Sequence, residues 1–461
     1  MSNNLETTAL LCDFGSTYTK LTVVDLDKEA IVAKTRVPTS IDTHLEDGLN
    51  AGEEELRRQG VDRIDARLAC SSAAGGLKMA VSGLMPELTV EAATRAALGA
   101  GAKVWRVYSH ELTPSDVHEL NESPPDIFLL TGGTDGGNKA NILSNARILK
   151  SLLKRSFPIV VAGNRVASAE ISEILSDFSP VICENVMPRL GVLQVDAVQQ
   201  AIRHVFLTHI VNAKGLDDVA ATLSAPLIPT PSAVLEGVSL LSKGHGESAG
   251  LGDLMAVDVG GATTDVYSIG SGLPSEANIT QRGLPEPFAK RTVEGDIGMR
   301  HSCRGIVKVA GEEAVLSRTG LTDLELEAGL DKREENAGWL AESDKDKRLD
   351  DSLAYFALKT ALKRHAGQLE TAYTPFGKTF IQTGKDLRPF SRMVLTGGPL
   401  VALDDAPALV GEALADRDQY LLPLAPRVLV DHNYVLSALG LLATWRPDVA
   451  LRMILKELSH E

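Results

Sequence analysis

The sequence predicts an α/β fold built from two related halves. The first observation is the stretch Ala9–Asp25 (ALLCDFGSTYTKLTVVD), which is typical of a strand, a tight turn and a second strand. The second is a later stretch with the same pattern, Leu254–Ile269 (LMAVDVGGATTDVYSI). The third is an alternation of strands and helices around them, the pattern of a sheet covered by helices. We therefore expect two lobes that face a central cleft and grip one ligand.

The turn of the first stretch carries residues suited to phosphate binding. Gly15 lets the backbone approach a ligand closely, and the amides and hydroxyls of Ser16 and Thr17 can donate to phosphate oxygens. Lys20 adds a positive charge, and Asp13 at the strand end is placed to hold a hydrated divalent cation. A single turn of this kind is more often an ordinary hairpin, so the second copy decides the interpretation.

The second stretch repeats this order of residue types. An apolar strand ends at Asp258, the glycines Gly260 and Gly261 follow, and Thr263 and Thr264 precede the next strand. Two such loops in one chain favour a shared triphosphate between them.

The rest of the first half alternates strands with helices. Each strand is a short β-branched or apolar run, and each helix has apolar residues at helical spacing. The main predicted elements are the strands Ala30–Val37, Arg67–Ser71, Val104–Tyr108, Asp126–Leu130, Pro158–Ala162 and Val181–Cys183, and the helices His44–Gln59, Asn141–Lys154 and Val195–Val205.

The second half is predicted to follow the same order. After the hairpin come a third strand at Ala277–Gln281, a mainly helical insertion at about 291–382, and a helix start at Thr322, where Glu325 completes a capping box. The last strands, each entering a polar or glycine-rich loop, are Arg392–Leu395 and Arg427–Val430.

The halves align feature by feature in the sequence. Leu130–Gly133 matches Leu395–Gly398, and Glu184–Gly191 matches Asp431–Gly440. The Gly/Ser-rich segment Ser242–Gly252 then marks the boundary, which predicts domains at 1–245 and 246–461.

Composition bounds the function. A net charge of −15 argues against a nucleic-acid surface, because such a surface needs clustered Lys and Arg. No apolar stretch reaches the roughly 18–20 residues of a membrane span. The cysteines are widely spaced, which argues against a zinc site or a disulfide framework and favours a reduced, cytoplasmic protein; they are Cys12, Cys70, Cys183 and Cys303.

This series of motifs resembles the nucleotide-binding fold shared by actin, the heat-shock chaperone ATPases and the sugar kinases, a duplicated ribonuclease H-like fold. The resemblance implies ATP and Mg²⁺ as ligands. It places the first connecting helix at Glu184–Gly191 and the second at Asp431–Gly440. Val293–Gly298 resembles the Gly-Asp-x-x-Gly element that follows the second phosphate loop in the chaperones.

The same resemblance implies a role for each site residue. Asp13 and Asp258 would bind Mg²⁺ through water, Asp258 would also orient the attacking water, and Lys20 would contact phosphate. The remaining residues would cradle the β-phosphate (Gly15, Ser16, Thr17), hold the γ-phosphate (Gly260, Gly261, Thr263, Thr264) and carry the adenosine (Thr396, Gly397, Gly398).

More narrowly, the motifs DFGSTYTK, LLTGGTDGGN, VVAGN, ENVMPRLG, VDVGGATTDV and TVEGDIGMR together resemble the accessory-protein family of adenosylcobalamin-dependent glutamate mutase. This family is often called GlmL or MutL and is unrelated to mismatch-repair MutL. The resemblance implies a chaperone-like ATPase of low turnover that reactivates a cobalamin-dependent mutase by opening and closing its lobes. The partner mutase is not named by the sequence, and the oligomeric state stays open, with a homodimer as one option.

Two other functions stay open at this stage. A small-molecule kinase of the same fold would use Asp258 or Asp135 to deprotonate a substrate hydroxyl, and an actin-type filament would sediment in a nucleotide-dependent way. Two interpretations of the loop Leu129–Gly137 also stay open: it is a degenerate counterpart of the adenosine loop, or it forms a second polar site.

Overall fold

A computed structural model describes residues 8–15, 18–38, 45–72, 77–211, 221–336, 338–375 and 377–458. The chain divides into two compact units, Met1–Ala233 and Val234–Glu461. This division reflects how the residues pack, and it falls inside a helix. The domain boundary predicted at 245/246 stays a prediction. Among the described residues, no helix has both the length and the apolar character needed to cross a bilayer.

Unit 1 contains a hairpin sheet and a second, parallel sheet. Its strands are β1 Thr8–Phe14, β2 Tyr18–Asp25, β3 Ala30–Pro38, β4 Ala66–Ser71, β5 Leu77–Gly83, β6 Ala102–Ser109, β7 Ile127–Leu130, β8 Ile159–Val161, β9 Val181–Ile182 and β10 Ile228–Pro229. Its helices are α1 Leu45–Arg58, α2 Glu91–Gly99, α3 Pro114–Glu122, α4 Ala140–Leu152, α5 Ser168–Ile174 and α6 Val195–Val205, and α7 Thr230–Lys243 begins in this unit.

The hairpin sheet has the order β10-β4-β1-β2-β3. β1 pairs antiparallel with β2 and parallel with β4, so it lies at the centre of the sheet. From Ala9 to Phe14 every side chain of β1 is buried, which explains why the strand reads as a continuous apolar run rather than an alternating one.

The second sheet of unit 1 lies between β4 and β10 in the sequence. Its order is β6-β5-β7-β8-β9 and all its pairings are parallel. Phe128 on β7 is fully buried and packs with residues of α3, α4 and α5. The match of Leu130–Gly133 with Leu395–Gly398 is therefore wrong, because β7 belongs to this parallel sheet and not to the hairpin sheet.

Unit 2 carries the second hairpin sheet and a group of helices. Its strands are β11 Gly244–His245, β12 Ser248–Ala249, β13 Leu254–Val259, β14 Thr264–Ile269, β15 Ile279–Arg282, β16 Ala289–Glu294, β17 Gln368–Thr374, β18 Gly377–Thr383, β19 Arg392–Thr396 and β20 Arg427–Val430. Its helices are α8 Cys303–Ala310, α9 Glu312–Thr319, α10 Asp323–Glu335, α11 Asp344–His365, α12 Gly398–Val401, α13 Ala406–Ala415, α14 Leu436–Ala443 and α15 Pro447–Leu458.

The hairpin sheet of unit 2 has the order β16-β14-β13-β19-β20. β13 pairs antiparallel with β14 and parallel with β19, so the five strands repeat the order and directions of β3-β2-β1-β4-β10. The predicted α/β duplication is confirmed. The true counterpart of β19 is β4, whose loop begins at Ser71.

Two predictions for unit 2 have different outcomes. The segment Ala277–Gln281 does contain a strand, β15, but that strand joins a separate sheet of order β15-β18-β17, and the third strand of the hairpin sheet is β16. The capping box at Thr322 is confirmed, since the Thr322 hydroxyl accepts from the Glu325 amide and the Glu325 carboxylate accepts from the Thr322 amide.

The connecting helices also require a correction. Glu184–Gly191 forms no helix; it is a loop that follows β9. The helix that follows the fifth strand of each hairpin sheet is α7 after β10 and α14 after β20. A Cβ built on Gly237 of α7 would lie 3.0 Å from the Cα of Gly440 in α14, so these two helices meet where neither has a side chain.

Four helices, α8 to α11, lie inside the predicted interval 291–382. They cover the face of the hairpin sheet that carries Val257 and Leu395, and both of these side chains are fully buried. The interval also contains strands that the sequence pattern did not separate from the helices, namely β16 at its start and β17 and most of β18 at its end.

Candidate functional site

The first hairpin is a tight turn after Asp13. The Gly15 amide donates to the Tyr18 carbonyl over 3.1 Å, and Asp13 stands opposite Lys20 in the β1–β2 register. A Cβ at Gly15 would lie 2.6 Å from the Tyr18 oxygen, so this turn requires glycine. The Lys20 side chain is exposed.

The predicted phosphate-binding residues Ser16 and Thr17 lie outside the described residues.

The carboxylate of Asp13 is buried and held by neighbours within unit 1. The Thr230 hydroxyl donates to its Oδ1 over 2.8 Å, and the Cys70 thiol lies 3.5 Å from the same oxygen. Burial raises the pKa of Cys70 well above its ordinary value, so the thiol stays protonated and can donate. Asp13 is therefore oriented by two side chains before any ligand binds.

The second hairpin repeats this backbone geometry. The Gly260 amide donates to the Thr263 carbonyl over 2.9 Å, and Asp258 stands opposite Asp265. The position of Lys20 is thus taken by Asp265, whose carboxylate pairs with the buried guanidinium of Arg291 at 2.6 Å.

The loop of the second hairpin presents a row of free donors. In the described part of the chain, the backbone N–H groups of Gly261, Ala262 and Thr263 donate to no protein acceptor. Gly261 is exposed, and the atoms that a Cβ there would meet first belong to Arg300, at 3.6 Å. Successive unpaired amides in a turn form a concavity that binds anions, so this loop fits a phosphate group.

The segment that resembles Gly-Asp-x-x-Gly packs against this loop. The Met299 amide donates to the Gly260 carbonyl, and the Arg300 and His301 amides donate to the Gly261 carbonyl, over 2.8–3.0 Å. A Cβ at Gly298 would lie 2.3 Å from the carbonyl carbon of Ala262, so the close approach requires glycine. These hydrogen bonds hold the loop through its carbonyl groups, so its amide groups can still donate to a ligand.

The predicted adenosine loop lies beside the second aspartate. A Cβ at Gly397 would stand 2.6 Å from Oδ1 of Asp258, whereas a Cβ at Gly398 would have no neighbour within 4 Å among the described residues. The backbone at Gly398 therefore has open space above it, which fits a flat ring. The Thr396 hydroxyl is already used, because it donates to Asp431 over 2.9 Å.

Comparison with known proteins decides the family. The family model described as MutL protein matches residues 9–458. Protein MutL of Clostridium tetanomorphum is 43% identical over 456 residues, which cover 97% of this chain and 98% of that protein. The chain belongs to the MutL protein family. The resemblance inferred from the motifs is confirmed.

Solved structures similar to this MutL-family chain are distant. A glycerol dehydratase reactivase is 12% identical with a TM-score of 0.37, covering 95% of this chain and 99% of its own. The activator of the 2-hydroxyisocaproyl-CoA dehydratase from Clostridium difficile, with bound ADPNP, is 11% identical with a TM-score of 0.33, covering 98% and 99%. TM-scores this low carry no argument, so the fold is described from the chain itself.

Sequence reasoning missed two residues of the candidate site. Thr230 reaches Asp13 from a position 217 residues later in the chain, and its only local signal is a hydroxyl at the start of a helix after a short strand. Arg300 lies against the second loop and bonds the Met299 carbonyl and Asp350. Of the predicted γ-phosphate residues, Thr264 is fully buried and donates to the Ile297 carbonyl, so its hydroxyl secures the loop.

Proposed function

We propose that this protein binds MgATP through its two aspartate hairpins and hydrolyses it slowly with water. The observation that carries the proposal is the row of backbone amides at Gly261, Ala262 and Thr263, three to five residues after Asp258, which have no acceptor among the described residues. A second observation supports the same ligand: the Gly398 backbone beside Asp258 is open enough for a base to lie on it.

The residues divide the nucleotide between them in this proposal. The first hairpin, with Gly15, Ser16, Thr17 and Lys20, takes the β-phosphate, and the backbone from Gly260 to Thr263 takes the γ-phosphate. Gly397 and Gly398 carry the adenosine. Thr264 and Thr396 act indirectly, since their hydroxyls hold Ile297 and Asp431.

Asp13 and Asp258 fit a hydrated Mg²⁺ because each is a carboxylate at a strand end next to a phosphate-binding turn. The ion would neutralise developing charge on the phosphates. Asp258 orients the attacking water and accepts its proton, while Asp13 is kept in place by Thr230 and Cys70.

We further propose that nucleotide turnover serves a partner enzyme, an adenosylcobalamin-dependent mutase such as glutamate mutase. Membership of the MutL family supports this role. Loss of the γ-phosphate would shift the protein between a closed and an open state, by no more than the difference in nucleotide affinity between the two. In the open state the inactivated cobalamin would leave the mutase and intact cofactor would enter.

The test is a reactivation assay. Glutamate mutase inactivated during turnover is incubated with the protein, MgATP and free adenosylcobalamin, and recovered mutase activity is measured. We expect recovery with ATP, none with ADP, and none with the Asp258→Ala variant, which should still bind nucleotide. Absence of recovery together with phosphorylation of a metabolite would instead support the kinase function.

A further inference from the structure

The parallel sheet of unit 1 carries a cavity that the nucleotide site does not use. It has a volume of about 250 Å³ and is lined by Asp135, Arg165, Cys183, Glu184, Asn185 and Gln194. These residues lie in the loops after β7, β8 and β9, at the carboxyl ends of parallel strands. Small ligands of open α/β sheets bind at this edge.

The loop after β7 is rigidly built. The Gly136 amide donates to Oδ1 of the buried Asn164, and the Asn164 amide group donates to the Gly137 carbonyl, each over 3.1 Å. A Cβ on Gly133 (φ +72°) would lie 1.9 Å from the Asn138 carbonyl oxygen, so only glycine fits there. The cavity wall therefore exists before a ligand arrives.

One carboxylate on this wall has a fixed orientation and accepts hydrogen bonds through only one of its two oxygens. Oδ1 of Asp135 accepts from the Arg165 amide at 2.9 Å and from the buried Asn185 side chain at 3.0 Å. Its Oδ2 has no hydrogen-bond partner in the described parts of the chain. This oxygen is a ready acceptor for a cation.

A guanidinium on the same cavity is also unpaired. Arg165 makes no ion pair or side-chain hydrogen bond with any described residue, although Asp135 and Glu184 line the same space. Glu184 instead accepts a hydrogen bond from the side-chain amide of Gln194. Burial raises the pKa of Cys183 to about 12, so the thiol adds no charge. The cavity thus presents separate anionic and cationic groups to one small volume.

We propose that this cavity binds a free amino acid. Its ammonium group is held by Asp135, with Glu184 adding negative charge, and its carboxylate is held by Arg165. The volume is below the ~300–1,000 Å³ of pockets for drug-sized ligands, which suits a small zwitterion. The proposal does not rest on the nucleotide function, since every residue involved lies in the parallel sheet and its loops.

The test uses the full chain and isothermal titration calorimetry with each of the twenty protein amino acids, at up to about 10 mM. We expect saturable one-to-one binding of at least one of them. Its N-acetyl and amide derivatives should each bind at least tenfold more weakly, because each lacks one charge-assisted interaction.

Two variants connect binding to the cavity. Asp135→Asn keeps the Oδ1 acceptor for the Arg165 amide and the Asn185 side chain, so it removes the charge and spares the loop. Arg165→Met removes an exposed cation that has no side-chain partner in the parts of the chain that the structure describes. Each should weaken binding at least tenfold, whereas Arg147→Gln, which breaks an exposed ion pair with Glu170 in the same sheet domain, should not.

Several results would overturn the proposal. They are no binding by any amino acid, binding that both cavity variants leave unchanged, and equal binding of the N-acetyl or amide derivatives. Binding of an uncharged polyol such as ribose in place of every amino acid would also overturn it. If Asp135→Asn melts earlier than the parent chain, the exposed Arg165→Met variant decides the outcome.

Discussion

The two hairpins of this protein share a backbone and differ in charge. In both, the amide two residues after the aspartate donates to the carbonyl five residues after it, and the residue seven positions on stands opposite the aspartate. In unit 1 that residue is the exposed Lys20; in unit 2 it is Asp265, paired with the buried Arg291. The turn is the same in both copies, whereas the position opposite the aspartate carries an exposed lysine in unit 1 and a buried ion pair in unit 2.

The largest difference is expected when this position is changed in each unit. Asp265→Asn leaves the Arg291 guanidinium without its charge partner, and since both side chains are at least nine-tenths buried, the free energy of unfolding should fall by about 3 kcal/mol. Lys20→Gln should change it by less than about 0.5 kcal/mol, as is usual for an exposed side chain. Urea unfolding followed by circular dichroism measures both.

The control is the double variant Asp265→Asn with Arg291→Met. Removing the stranded charge should restore part of the lost stability, because the cost comes from that charge and not from the shape of the site. Equal losses for Asp265→Asn and Lys20→Gln would contradict the assignment of different roles.

The two aspartates should differ in kinetics. Asp258→Ala is expected to lower ATP turnover by about 100-fold with little change in nucleotide affinity, because in the proposed mechanism Asp258 orients the attacking water. Asp13→Asn retains an acceptor for Thr230 and should instead raise the Mg²⁺ concentration needed for half-maximal turnover. Steady-state phosphate release, titrated with Mg²⁺, separates the effects.

Asp27→Asn, an exposed change just after β2, is the matched control and should leave both parameters unaltered. The division of roles fails if Asp13→Asn and Asp258→Ala give the same Mg²⁺ dependence and the same turnover.

The turns themselves should tolerate a methyl group unequally. A Cβ would lie 2.6 Å from a backbone carbonyl oxygen at Gly15 but 3.1 Å at Gly260. Gly15→Ala should therefore cost about 2 kcal/mol of unfolding free energy and Gly260→Ala less than about 1 kcal/mol. Gly411→Ala, in an open position of helix α13, should stabilise the protein slightly. A reversed order of the first two variants in urea unfolding would show that the turns relax differently.

The sequence predicts the hairpins well because their information is local. Asp13 and Lys20, or Asp258 and Asp265, are seven residues apart, and the glycine of each turn stands between them. The order of strands within each hairpin sheet is less accessible. Ala277–Gln281 and Ala289–Glu294 both have strand-like sequences, and only tertiary pairing decides that the second joins β14.

Non-local contacts explain what the sequence did not predict. The motifs Thr131-Gly132-Gly133 and Thr396-Gly397-Gly398 have the same sequence. The first follows a strand of the parallel sheet, whereas the second ends the strand beside β13. Thr230 is likewise brought to Asp13 by the pairing of β10 with β4, which no short motif records. Local sequence similarity identified the residues that are suited to turns but could not assign the strands before them to a sheet.

The smallest expected effect is on the pH dependence of stability and concerns a histidine that is hydrogen-bonded to two strands of the hairpin sheet of unit 2. His365 is fully buried, and its two ring nitrogens lie 2.8 Å from the hydroxyls of Ser268 on β14 and Thr292 on β16. Burial, with a smaller contribution from the charges of Lys290 and Lys385, lowers the pKa of His365 well below its ordinary value.

Because this pKa is lowered on folding, the unfolded chain binds more protons once the pH falls below about 6.5, the ordinary histidine value. The contribution of His365 to stability is therefore complete above that pH and is lost progressively below it. Between pH 7.5 and 5.5 the loss should reach about 1.4 kcal/mol in urea unfolding. His365→Asn should lack this component, whereas changing the exposed His245 to Asn should keep it. An identical pH dependence in the parent and His365→Asn would mean that folding does not lower the pKa of His365, so that the ring takes up a proton beside Ser268 and Thr292 as readily as in the unfolded chain.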